Sequence, residues 1–78
     1  MSELKKTIAI IGGTGGLGSA LAFRWGRSGY KIILGSRNEE KADIAATNLN
    51  KLLGNKMACG LSNLEAANVA KIIVLAVP

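Results

Sequence analysis

Between the apolar run Thr7-Ile8-Ala9-Ile10-Ile11 and a segment with helically spaced apolar residues lies Gly13-Thr14-Gly15-Gly16-Leu17-Gly18, a G-x-G-x-x-G string. Glycines at this spacing mean little alone. A buried strand before them and a helix after them, however, direct several backbone N–H groups to the positive end of a helix, where a pyrophosphate sits in dinucleotide-binding folds. Gly13 permits the tight turn, Gly15 the approach of phosphate, and Gly18 the close contact of helix with strand. The alternative is a glycine-rich strand-to-helix turn that binds nothing.

That context requires a parallel α/β fold, and the remaining sequence alternates accordingly. After a first strand over Thr7–Ile11, a helix starts near Gly16 and carries Leu17, Ala20, Leu21 and Trp25 as its apolar stripe. Arg24 and Arg27 point toward water, Trp25 belongs to the core, and Gly29 stops the helix. Lys31–Gly35 is a second strand with an apolar run suited to burial on both faces. Asn38 caps the next helix, with Glu39 and Glu40 in its first turn where carboxylates complement the helix dipole. Ala42, Ala45, Ala46, Leu49 and Leu53 form its stripe and Gly54 its end. The third strand has the weakest signal, over Lys56–Cys59. Ser62-Asn63-Leu64-Glu65 matches a capping box, opening a short helix to about Val69. Lys71–Val77 then reads as a buried strand. Right-handed crossovers arrange these elements as a Rossmann-like half, a parallel sheet of about four strands in the order 3-2-1-4 with three helices, truncated after the fourth strand.

With 49% hydrophobic but only 4% aromatic residues, the core is built from Ile, Leu, Val and Ala, as suits a parallel sheet covered by helices. The 78 residues allow one domain. Cys59 is the single cysteine and there is no histidine, so neither a disulfide framework nor a metal cluster is expected, and Cys59 reads as a buried thiol. No apolar run approaches the roughly 20 residues that cross a bilayer, and Met1–Lys6 lacks the apolar stretch of a signal peptide. A cytoplasmic protein without membrane contact is expected. The net charge of +5 comes from bases scattered along the chain without a dense run or interleaved aromatics, which favours a small anionic ligand over nucleic acid.

The position after the second strand refines the ligand. NAD-preferring folds carry an acid there, about 20 residues beyond the glycines, to accept the ribose 2′-OH. This chain has Gly35-Ser36-Arg37 instead. A guanidinium and a hydroxyl in place of a carboxylate make a site for a 2′-phosphate, so NADP is favoured over NAD. Lys41 adds a second positive charge and Thr14 reaches the same phosphate from the glycine loop. The alternative for Arg37 and Lys41 is a solvated pair balanced by Glu39, Glu40 and Asp43. No nucleophile, general base or paired acid stands out, so no catalytic side chain is assigned.

The combination of Ile10-Ile11-Gly12-Gly13-Thr14-Gly15-Gly16-Leu17-Gly18, Gly35-Ser36-Arg37 with Glu40-Lys41-Ala42, Ala66-Ala67 and the closing Val74-Leu75-Ala76-Val77-Pro78 resembles the F420-dependent NADP oxidoreductases over nearly the whole chain. The resemblance implies reversible hydride transfer between NADPH and coenzyme F420. It also implies that Thr14, Ser36, Arg37 and Lys41 hold the 2′-phosphate and that Gly13 through Gly18 hold the pyrophosphate. Ala76, Val77 and Pro78 would stand beside the nicotinamide. Members of that family are much longer, so residues 1–78 are expected to be a partial NADP-binding domain that holds one cofactor and lacks the F420 site. A binding module without turnover, or the first half of an imine or ketoacid reductase, remains open. Lys71–Val77 at the sheet edge further suggests a homodimer that pairs the two edge strands antiparallel.

Overall fold

Residues 7–12, 14–70 and 72–76 are described by a computed structural model, in which strands and helices alternate strictly. The strands are β1 (Thr7–Ile11), β2 (Lys31–Ser36), β3 (Ala58–Ser62) and β4 (Ile72–Leu75). The helices are α1 (Gly16–Arg27), α2 (Glu39–Leu53) and α3 (Asn63–Val69). All four strands are parallel in one sheet of order β3-β2-β1-β4. The Rossmann-like half expected from the sequence is therefore present.

Successive side chains on a strand point to opposite faces, and this divides the core. Ile8, Ile10, Ile32, Leu34 and Ala58 face one way and pack with Ala22 of α1 and Ala46 and Leu49 of α2. Ala9 and Ile33 face the other way and meet Ala66 of α3, with Ile11, Cys59 and Leu61 beside them. Two helices thus cover one face and one covers the other, as right-handed crossovers require when the chain passes from β3 back across β2 and β1 to β4. Cys59 is only half-buried.

The register is continuous across the sheet, with Ile10 opposite Leu34 on one side and Val74 on the other. It brings the carboxyl ends of β1, β2 and β3 level with one another, and Ser36 lies opposite Ser62.

The helix ends follow local chemistry. The Asn38 side chain accepts a hydrogen bond from the Lys41 N–H, as its N-cap position predicts. Gly54 ends α2 at φ 72°, in the left-handed conformation that glycine adopts freely. Gly29, at φ 99°, ends α1 with the N–H of Tyr30 closing on the Trp25 carbonyl and its own N–H on that of Gly26, a Schellman arrangement. Ser62 and Glu65 form the expected capping box at α3.

Three expectations need correction. The face that α1 buries is Gly18, Ala22 and Gly26, whereas Leu17 is 61% exposed and Ala20 also faces solvent. Leu21 and Trp25 are half-buried at the margin. Small residues win because α1 lies close to its neighbours: a Cβ on Gly26 would stand 2.6 Å from Leu53 Cδ1. The third strand is Ala58–Ser62, later than the sequence pattern places it. Its Gly60 faces α2 so closely that a Cβ there would run into the Ala42 backbone. Its start is pinned by the Asn50 carboxamide, which donates to the Ala58 carbonyl and accepts from the Ala58 N–H, both at 2.9 Å. Finally, β4 is half-buried on one face and open on the other, with Ile73 48% and Leu75 70% exposed. Lys71 and Val77, placed in that strand by sequence, lie outside the described residues. Among those residues no helix is long and apolar enough to cross a membrane.

Candidate dinucleotide-binding site

Parallel α/β sheets bind ligands beyond the carboxyl ends of their strands, near the point where strand order reverses. Here that point lies between β1 and β4, and the glycine loop begins there. Gly12 turns the chain at φ 78° while its N–H donates to the Gly35 carbonyl at 3.0 Å, tying the loop to β2. Gly13, given the turn by sequence, lies outside the described residues. Gly15 is the N-cap of α1 in extended conformation, and its carbonyl accepts from the Ser19 N–H at 2.9 Å.

No side chain caps α1 and no acid occupies its first turn. The N–H groups of Gly16, Leu17 and Gly18 have no acceptor within the helix by geometry, so they offer hydrogen bonds to an anion. Gly15, Gly16 and Leu17 are exposed, while Gly18 is buried against the sheet. Among the described residues a Cβ on Gly15 would meet only the Gly12 carbonyl oxygen, at 3.8 Å, so the space beyond Gly15 opens outward.

Beside this loop lies a cleft of about 410 Å³ lined by Gly12, Thr14, Ser36, Arg37, Asn38, Lys41 and Asn63. The fold therefore brings together Thr14, Ser36, Arg37 and Lys41, contributed by the glycine loop, the end of β2 and the first turn of α2. Ser36 is 7% exposed, and its hydroxyl oxygen accepts the Asn38 N–H at 3.1 Å, leaving its proton for another acceptor. Arg37 and Lys41 are exposed, and among the described residues neither forms an ion pair. Glu39 and Glu40 flank them in sequence but do not line the cleft. The Glu39 carboxyl is drawn instead to Glu65, whose hydrogen bond and negative charge hold it above the usual carboxylate range.

Ala76 does not line this cleft; it is buried just past β4, with its N–H donating to the Ile11 carbonyl at 2.9 Å where the glycine loop leaves β1. Val77 and Pro78 lie outside the described residues. Three cleft residues were not singled out as binding groups by the sequence, among them Asn38, which was assigned only the N-cap of α2. Gly12 adjoins the motif, and Asn63 carried no signal beyond its place inside the capping box. A smaller hollow of about 150 Å³ between α1 and α2, lined mainly by apolar side chains such as Phe23, Leu34 and Leu49, holds no charged group and does not suit an anion.

Among the described residues the site thus combines uncapped helix donors, two cations without ion pairs and a hydroxyl proton, with no carboxylate lining the cleft, an arrangement suited to a phosphorylated ligand. The F420-dependent NADP reductase of Methanothermobacter thermautotrophicus is 42% identical over 73 residues, covering 91% of this chain and 32% of that protein. The chain thus spans about a third of the length of that relative. A probable arogenate/prephenate dehydrogenase of Methanocaldococcus jannaschii is 37% identical over 78 residues, all of this chain and 16% of that protein. The fold matches that of quinate dehydrogenase from Corynebacterium glutamicum, solved in complex with NAD, with TM-score 0.78 at 21% identity over 99% of this chain and 28% of that one. Residues 7–78 match the family model described as NADP oxidoreductase, coenzyme F420-dependent, and the chain belongs to that family.

Proposed function

We propose that this chain binds NADP(H), with the 2′-phosphate in the cleft among Thr14, Ser36, Arg37 and Lys41 and the pyrophosphate at the uncapped start of α1. The observation that carries this reading is that Arg37, Lys41 and the Ser36 hydroxyl line one cleft, where among the described residues neither cation forms an ion pair and no carboxylate contributes to the wall. A ribose 2′-OH needs an acceptor there, whereas a phosphate needs donors and positive charge. Titration calorimetry with NADP and NAD tests it, and tighter binding of NADP is expected. Equal affinity for the two would remove the assignment of the cleft to the 2′-phosphate.

In the longer proteins of the family, we infer, this region holds NADPH for hydride transfer to coenzyme F420. The nicotinamide supplies the hydride, and the protein's task is to hold the two rings in register and exclude water. Residues 1–78 act in this scheme as a partial domain that binds one cofactor, with the F420 site formed by sequence found in the longer relatives. A second reading, the first half of a different dinucleotide-dependent dehydrogenase, is favoured by the match along all of this chain to the probable arogenate/prephenate dehydrogenase. Reduction of F420 by NADPH in the full-length relative carrying this segment separates the two.

The exposed Ile73 and Leu75 on edge strand β4 support a homodimer in which two copies cover this surface. Light scattering over a concentration series checks it, and a chain that remains monomeric throughout rules it out.

A further inference from the structure

Asn63 is one of the residues lining the cleft, and its side-chain Oδ1 is buried without a hydrogen-bond partner. Buried polar atoms are rarely left unmatched, and an orphaned acceptor beside a ligand cleft calls for a donor from the ligand. Local duties do not occupy this carboxamide. The start of α3 is capped by its neighbours, with Ser62 Oγ accepting the Glu65 N–H at 3.2 Å and Glu65 Oε1 accepting the Ser62 N–H at 3.5 Å. Its position is also held from below. A Cβ on Gly35 would stand 2.9 Å from Asn63 Oδ1 and 3.1 Å from Ala66 Cβ, so the carboxamide lies where only a glycine in β2 leaves room.

We propose that Asn63 is a further cofactor-binding residue, accepting a hydrogen bond from an N–H or O–H donor on the adenosine part of the dinucleotide. The inference rests on the NADP(H) reading above and adds the residue that reads the nucleoside itself. A phosphate dianion carries acceptors only and does not satisfy Oδ1; it belongs with Arg37, Lys41 and the Ser36 hydroxyl. The donors that remain on a 2′-phosphorylated adenosine are the adenine amino group and the ribose 3′-OH. Both are also present in NAD, so Asn63 contributes to the two dinucleotides alike, while Arg37 contributes to NADP alone.

Calorimetric titration of wild type, Asn63→Ala and Arg37→Ala with NADP, NAD and deamino-NADP, in which a carbonyl replaces the adenine amino group, tests the assignment. Asn63→Ala should weaken NADP and NAD by the same factor, roughly 3- to 10-fold, the value of one net hydrogen bond. If the amino group is the donor, wild type binds deamino-NADP more weakly by that factor and the variant does not discriminate. If the 3′-OH is the donor, wild type does not discriminate and the variant loses the same factor for all three. Circular dichroism checks the fold, and Asn63→Ser, too short to reach the same donor, replaces the alanine variant if that one unfolds, with the same losses expected. A folded variant with wild-type affinity for NADP and NAD, alongside an Arg37→Ala protein that loses NADP, overturns the role of Asn63 and leaves the NADP reading intact. A wild-type chain that binds neither dinucleotide overturns both.

Discussion

Replacing Arg37 by alanine isolates the 2′-phosphate interaction because the side chain has no other duty. Its guanidinium is exposed, forms no ion pair among the described residues and lines the cleft beside Lys41. Its removal orphans no buried group, and the stability of the chain should change by less than about 0.5 kcal/mol. Charge-assisted hydrogen bonds to phosphate are worth about 1.5–3 kcal/mol when well formed. Exposure to water reduces this, and Lys41 stays to neutralise part of the charge, so a loss of about 1–2 kcal/mol is expected, or roughly 5- to 30-fold in Kd. NAD affinity should be unaltered. The contact is solvated, so the difference between wild type and variant should shrink as ionic strength rises and the Debye length falls from about 8 Å at 0.15 M to about 3 Å at 1 M. Titration calorimetry with both cofactors at two salt concentrations measures all of this. Equal losses for NADP and NAD would show that Arg37 supports the fold or the shared pyrophosphate and does not read the 2′-phosphate.

Gly15→Val should abolish binding of both cofactors while leaving the fold intact, because Gly15 has φ −81° and, among the described residues, a Cβ there meets only an ordinary contact at 3.8 Å. A folded variant that binds NADP normally would move the phosphate cradle away from this loop. Asn50→Ala removes two 2.9 Å hydrogen bonds from the part-buried backbone of Ala58 and should lower stability by about 1–3 kcal/mol in urea unfolding; an unchanged midpoint would show that water replaces the carboxamide freely. Glu39 has its carboxyl raised above the unfolded value of 4.5 by Glu65. The native state therefore binds more protons in the window above 4.5, and the Glu39 contribution makes stability fall as pH rises through that window and level off beyond the native value. Glu39→Gln should flatten this slope in unfolding curves from about pH 4 to about pH 7, and a slope unchanged by the substitution would assign it to other groups.

The sequence disclosed those features that depend on near neighbours in the chain. Asn38 as a cap, Gly54 as a stop and Ser62 with Glu65 as a capping box each involve groups within four residues, and each stands where the pattern places it. The strand–glycine–helix order and the absence of an acid after β2 were likewise readable, and they led to Thr14, Ser36, Arg37 and Lys41, which line one cleft. The buried face of α1 differs from the stripe that helical spacing of Leu17, Ala20, Leu21 and Trp25 indicates, because close packing against the sheet and α2 selects Gly18, Ala22 and Gly26.

Alternating apolar runs and glycine spacing determined the element order and the parallel sheet, since right-handed crossovers leave few ways to assemble such a chain. Only the tertiary structure decided where β3 begins, because that edge depends on Asn50 reaching Ala58 from α2 and on Gly60 admitting the Ala42 backbone. The same holds for Asn63. Its carboxamide gains meaning from Gly35, 28 positions earlier in the chain, and from a cleft whose other walls come from the glycine loop, the end of β2 and the start of α2. Hydrogen-bond satisfaction and close approach are properties of atoms adjacent in space, and a linear pattern records them only when those atoms are also adjacent in sequence.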